Sequence, residues 1–170
     1  RDGIEAYRDL VGSRPVRALL VFRAGFSAGK MIVVVFLPIV ARTEFGITAF
    51  AIGWILAGGK LTKSLLQGYV GDLTDRVASR GRLVAAGALL YGLAAAMIPL
   101  ATVAEGTLDP VTVRLFGDTQ VLGGAFLALF LAYAVAGVGD SLRLPASMAL
   151  FVEEGERFDS VASSLSLRSF

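Results

Sequence analysis

The 170 residues are 55% hydrophobic and only 18% charged, with a formal net charge of +2 and a mean hydropathy of +0.71; soluble domains are about 45–50% apolar with about a quarter of their residues charged. A soluble protein of this length has too little interior to hide so much apolar surface, which points to lipid as the solvent. The basic residues are scattered, which argues against a nucleic-acid partner, and with no Cys or His there is no disulfide framework, thiolate zinc site or imidazole base.

The chain opens on Arg1 and, through Arg17, lacks the apolar core and cleavage site of a signal peptide, so it reads as one whose start has been trimmed. Residues 1–16 form a polar segment, expected on the cytoplasmic side. Ile4, Tyr7, Leu10 and Val11 recur there at helical spacing with Arg and Asp between, a pattern that fits a linker or a helix lying on the membrane surface.

A spanning helix needs about 20 mostly apolar residues to cross about 30 Å of hydrocarbon. Four runs of that kind are predicted. The first covers 17–41, with Pro38 near its far end, and is closed by Arg42, Thr43 and Glu44; the second covers 46–70, before Asp72, Asp75 and Arg76. The third, 83–104, is rich in Ala, Leu and Gly, small residues that suit close helix contact in lipid. Residues 105–120, with Glu105, Asp109, Pro110, Arg114 and Asp118, read as an aqueous loop. A fourth span is placed at 127–150, followed by Glu153, Glu154, Glu156 and Arg157, and a truncated fifth helix from about 160. No sustained strand alternation supports a β-barrel. The expected fold is all-α, a polytopic transmembrane helical bundle over 17–170.

Lys and Arg in the connections set the orientation. Arg1, Arg8, Arg14 and Arg17 precede the first span, Arg76, Arg80 and Arg82 separate the second from the third, and Arg157 follows the fourth; the opposite side has only Arg42 and Arg114. The N-terminus is therefore expected in the cytoplasm of a multi-pass cell-membrane protein, with residues 105–120 outside.

The connection between the second and third spans reads Gly68-Tyr69-Val70-Gly71-Asp72-Leu73-Thr74-Asp75-Arg76-Val77-Ala78-Ser79-Arg80-Gly81-Arg82. It resembles the cytoplasmic signature of the major facilitator superfamily, roughly Gly-x-Leu-Ser/Ala-Asp-Arg-x-Gly-Arg-Arg, which stands between the same two helices in that family. Gly71, Leu73, Asp75, Arg76 and Arg80 match without a gap; Ala78 replaces the later glycine. The glycines would let the second helix approach a neighbour, and Asp75 beside a helix N-terminus would gain from the dipole and pair with arginine. The resemblance implies a latch on the inner face, made of Gly71, Asp75, Arg76 and Arg80, that holds one of two alternating conformations. A bare charged turn obeying the positive-inside rule is the simpler alternative. Gly137-Val138-Gly139 followed by Pro145-Ala146 resembles the family's fourth helix, and 157–168 the start of its fifth. Tyr133 departs from the drug/proton antiporters of the superfamily, which often have arginine there.

Charges inside a span cost about 2.5–3.5 kcal/mol each unless they face water, a partner or the headgroups. Arg23, Ser27 and Lys30 share one stripe of the first helix, Lys60, Lys63, Ser64 and Gln67 form another on the second, and Asp140 and Arg143 are close enough in sequence to touch. Arg23 and Lys63 lie near enough to the cytoplasmic ends to snorkel. Lys30, Lys60, Asp140 and Arg143 lie deeper and are expected to line a water-filled cavity; a structural ion pair is the competing reading for Asp140 and Arg143. The resemblance, which places helices one and four around the cavity, favours Lys30, Asp140 and Arg143. The excess of positive charge fits an anionic solute or carboxylates on helices outside this chain, and Asp140 is the one candidate proton carrier. The expected function is secondary active transport of a small solute by alternating access, needing the bilayer and a missing C-terminal half as partners, with no cofactor; a non-transporting scaffold or sensory subunit is the alternative. No acidic pair on a common face suggests a metal enzyme.

Overall fold

The computed structural model describes residues 12, 14–76, 79–115 and 118–167. The surface helix expected at residues 4–11 lies outside them. α1 (Arg14–Thr43) carries Pro38 and ends where the Thr43 hydroxyl donates back to the carbonyl of Ile39 at 2.9 Å. The chain then turns through Gly46, whose φ of +61° is a left-handed conformation that a residue without Cβ adopts readily. Thr48 caps α2 (Ala49–Arg76): its hydroxyl accepts the N–H of Ala51 at 3.3 Å, satisfying one of the free donors of the first turn.

α3 (Arg80–Met97) and α4 (Leu100–Glu105) are separated by Pro99, which has no N–H to contribute. Ile98 and Pro99 both keep right-handed helical dihedrals, φ −57°, ψ −46° and φ −60°, ψ −23°, so the two pieces together fill the predicted third span. The predicted loop that follows is instead a hairpin. β1 (Val111–Leu115) pairs antiparallel with β2 (Asp118–Leu122), Val111 opposite Leu122 and Leu115 opposite Asp118; the β-branched residues Val111, Thr112, Val113, Thr119 and Val121 favour the pleat.

α5 (Gly124–Leu167) runs unbroken for 44 residues; its apolar stretch Gly124–Leu150 covers the expected fourth span, and its continuation corrects the expectation of a separate fifth helix. Glu, Arg, Leu and Ala are good helix formers and no proline follows Pro145, so charge at Glu153 and Glu156 does not stop the helix. At about 1.5 Å per residue it is about 66 Å long, twice the hydrocarbon thickness.

The fold is thus all-α apart from one hairpin. Two stretches, Val16–Thr43 and Gly124–Leu150, are long and apolar enough to cross a membrane. The other helices lack such a stretch: α2 carries Lys60 and Lys63, and α3 is only 18 residues long, two of them Arg80 and Arg82.

α5 is the central element, with α2 and α3 against it. Contact is close because glycines meet glycines: a Cβ on Gly137 would strike the carbonyl of Gly59 in α2, and a Cβ on Gly87 in α3 would lie 2.5 Å from the carbonyl of Gly139. Gly68 and Gly71, expected to allow such an approach, face open space. Near the hairpin, Leu37, Ala41, Ile52, Ile55, Ala101 and Leu129 form one core joining four helices. Two polar ties fasten that end. The Thr48 hydroxyl donates to the side-chain carbonyl of buried Gln120, and the N–H of Ala125 donates to Glu105 Oε2 at 3.1 Å, placing an anion at the positive end of α5. α1 presents Val21, Met31, Ile32, Val35 and Phe36 outward, so most of its apolar surface is left uncovered by the described residues.

Candidate functional site

The buried residues of α2 among those described are Ala51, Ile52, Ile55, Gly58, Gly59, Val70 and Thr74, of which Ile52, Ile55, Gly59, Val70 and Thr74 form a stripe at steps of three, four or their sums. Lys63, four residues after Gly59, falls on the same stripe. Because Gly59 abuts α5, Lys63 is aimed at α5, where it meets Asp140.

Asp140 receives three cations. Its Oδ2 accepts from Lys30 of α1 at 2.6 Å and from Lys63 of α2 at 3.0 Å, while Oδ1 accepts from Arg143, one turn along α5, at 2.9 Å. The expected Asp140–Arg143 contact is therefore present, as part of a larger cluster. The expectation that Lys63 snorkels is corrected: its position on the packed face of α2 turns the amine inward. Depth along the helix had suggested a way out; azimuth decides otherwise.

The two ends of the cluster differ in access. The side chains of Asp140 and Arg143 are 5% and 7% exposed, those of Lys30 and Lys63 36% and 28%. The Arg143 guanidinium lies 3.9 Å from the centroid of the Phe26 ring, a cation–π contact that helps a desolvated charge. Phe26 in turn meets Tyr91 edge-on, with centroids 4.9 Å apart. Arg143 Nε is buried with no hydrogen-bond partner among the described residues.

In front of the cluster lies a cavity of about 420 Å³ bounded by α1, α2, α3 and α5, with Lys30, Lys60, Lys63, Tyr91, Tyr133 and Asp140 on its wall. Of the predicted cavity residues, Lys30, Lys60 and Asp140 reach this wall, and Arg143 stands behind Asp140. Lys60 is exposed and makes no ion pair among the described residues. Arg23 reaches the Met148 sulfur at 3.9 Å.

Among the described side chains, no ion pair joins the predicted latch residues to one another. α2 continues through Arg76, which puts Asp75 in its last turn, at the negative end of that helix's own dipole; the Asp75 side chain lies outside the described residues. Arg76 is exposed, Gly71 has open space around it, and Arg80 pairs with Glu153 of α5. Glu153 and Lys63 are thus the residues that sequence reasoning assigned other places. Gly59, four residues before Lys63 on the packed face of α2, was the available signal for Lys63, and α5's continuity, which brings Glu153 opposite the start of α3, had none.

No family model, curated protein or solved structure matches the chain. Chemically, the described residues contain no group of three acidic, His or Cys side chains able to hold a metal. The cluster is suited to exchanging ion-pair partners between helices and to attracting negative charge into the cavity.

Proposed function

We propose that this chain is one part of a secondary transporter of the major facilitator type, moving a small solute through the cell membrane by alternating access coupled to an ion or proton gradient. In this reading α1, α2, α3 with α4, and the first 27 residues of α5 are four spans of a multi-pass bundle. The N-terminus and the α2–α3 connection face the cytoplasm and the hairpin faces outward, as the distribution of arginines supports. A second half, not in this chain, would complete the path.

The observation that carries the reading is Asp140, a single buried carboxylate tying α1, α2 and α5 together at the wall of a cavity. Buried charges in lipid-facing bundles are expensive and mark solute or ion pathways. Alternating access needs contacts that hold one arrangement and can be exchanged for another, and a carboxylate shared by two amines on different helices meets that need. Lys30 or Lys63 can leave while the other keeps Asp140 paired. The Arg80–Glu153 ion pair offers a second releasable tie, between α3 and α5, on the side assigned to the cytoplasm.

The test is uptake by the full-length protein in sealed vesicles under an imposed pH gradient, scanned over a panel of labelled solutes. Asp140→Asn is expected to abolish gradient-driven uptake while the protein still inserts. Solute flux that is absent in the unaltered protein, or indifferent to Asp140, would favour a scaffold or sensory role.

A further inference from the structure

We propose that the solute is an organic anion, a small carboxylate with an apolar body, held by the amines of Lys30, Lys60 and Lys63 between α1 and α2. This rests on the transporter reading and names the substrate class of the same cavity.

The first reason is charge. Lys30, Lys63 and Arg143 pair with one carboxylate, Asp140, and Lys60 adds a fourth cation on the same cavity wall. Lys60 makes no ion pair with Asp140 among the described residues. The second reason is access. Whatever enters the cavity meets lysines, because Lys30 and Lys63 are 36% and 28% exposed whereas Asp140 is 5% exposed, and Lys60 is exposed as well. An ammonium has three donors; Lys30 and Lys63 each spend one on Asp140. The charged groups that the cavity presents are therefore cationic, beside the neutral hydroxyls of Ser27, Tyr91 and Tyr133, which attracts an anion and repels an organic cation.

The third reason is the rest of the wall. Met31, Val34, Leu56, Tyr91 and Tyr133 line the cavity beside the lysines, so the ligand that fits both surfaces has a charged head and an apolar body. A volume of about 420 Å³ lies within the range of small-molecule sites, about 300–1,000 Å³. A carboxylate seated here competes with Asp140 for Lys30 and Lys63, which couples solute binding to the ties among α1, α2 and α5. An anionic phospholipid shares this chemistry, and the experiment separates the two sources.

Full-length protein is placed in phosphatidylcholine nanodiscs and titrated calorimetrically with three probes of one body, hexanoate, hexylamine and hexanol. Hexanoate is expected to bind at least about tenfold more tightly than the other two, a difference one well-formed ionic contact can supply. Lys60→Gln and Lys63→Gln should each weaken hexanoate about tenfold, and Lys60→Arg should retain it. Because Lys60 holds no ion pair among the described residues, its substitution leaves the Asp140 cluster intact, and size-exclusion profiles check each variant's fold. Equal binding of the three probes, binding of none, or indifference to Lys60→Gln overturns the inference. Hexanoate binding should also survive phosphatidylglycerol in the disc; its loss there would assign the site to lipid headgroups and overturn the solute. Counterflow in vesicles separates this inference from the transport reading: exchange of hexylamine or hexanol alone removes the anion, whereas lysine-dependent hexanoate binding without counterflow of any probe removes transport.

Discussion

Lys30 and Lys63, on different helices and 33 positions apart, bind the same oxygen of Asp140, at 2.6 and 3.0 Å. This shared oxygen ties α1 to both α2 and α5 through one atom.

Replacing Asp140 with Asn should therefore destabilise the fold as well as any transport. Removing one partner of a buried ion pair costs about 3–5 kcal/mol; with two of the three cations partly exposed, about 2–3 kcal/mol is expected here. Lys30→Met should cost less, because Asp140 keeps Lys63 and Arg143. Thermal melting in detergent checks the order, and an Asp140→Asn melting curve superimposable on the unaltered one would contradict it.

The glycines should divide into two kinds. Gly137→Ala places a methyl against the carbonyl of Gly59 and should cost about 1–3 kcal/mol through overpacking. Gly71→Ala, with nothing within 4 Å of the new carbon, should stabilise α2 by about 0.5–1 kcal/mol. A variant at Gly71 that melts higher yet loses flux would mark a residue needed in a second conformation rather than in this one.

Arg80 and Glu153 are 26% and 44% exposed, so water and salt screen their attraction. A double-mutant cycle with Arg80→Gln and Glu153→Gln should return a coupling of about 0.2–1 kcal/mol, shrinking as salt is raised toward 1 M. A coupling above that range and insensitive to salt would mean the pair is far better shielded than its exposure indicates.

At the opposite end, Glu105→Gln should weaken the first turn of α5 by about 0.5–1 kcal/mol, through loss of charge at the helix dipole. Thr48→Val should cost more, about 1–3 kcal/mol, because it removes the cap of α2 and leaves buried Gln120 short of a partner. Amide exchange resolves the two: the former should speed exchange near Ala125, the latter near Ala51.

Much of the helical layout was legible. The apolar runs at 17–41 and 46–70 became α1 and α2, each only slightly longer than expected, because runs of that length and their closing charges are written locally. The Asp140–Arg143 contact followed from spacing alone. Lys63 was misplaced because distance along a helix says nothing about which way a side chain faces; the face is set by Gly59, Gly137 and the partner helix. The hairpin was read as a loop because Pro110 and the charges around it outweighed Val111-Thr112-Val113, whose strand character needs β2 alongside. α5 was divided because Glu153, Glu156 and Arg157 were taken as the edge of a membrane span, while a helix can continue into water with such residues. The latch residues were placed by resemblance, and the arrangement α2 and α3 adopt here pairs Arg80 with a residue that lies outside that motif.

Pro145 sits five residues beyond Asp140 and eight before Glu153 in α5. Having no N–H, it withholds the usual backbone bond from the carbonyl of Ser141, so the helix is softest between its two charged anchors. A bend at this joint would change the distance between the amine-lined chamber and the Arg80–Glu153 contact, which lie on opposite sides of it.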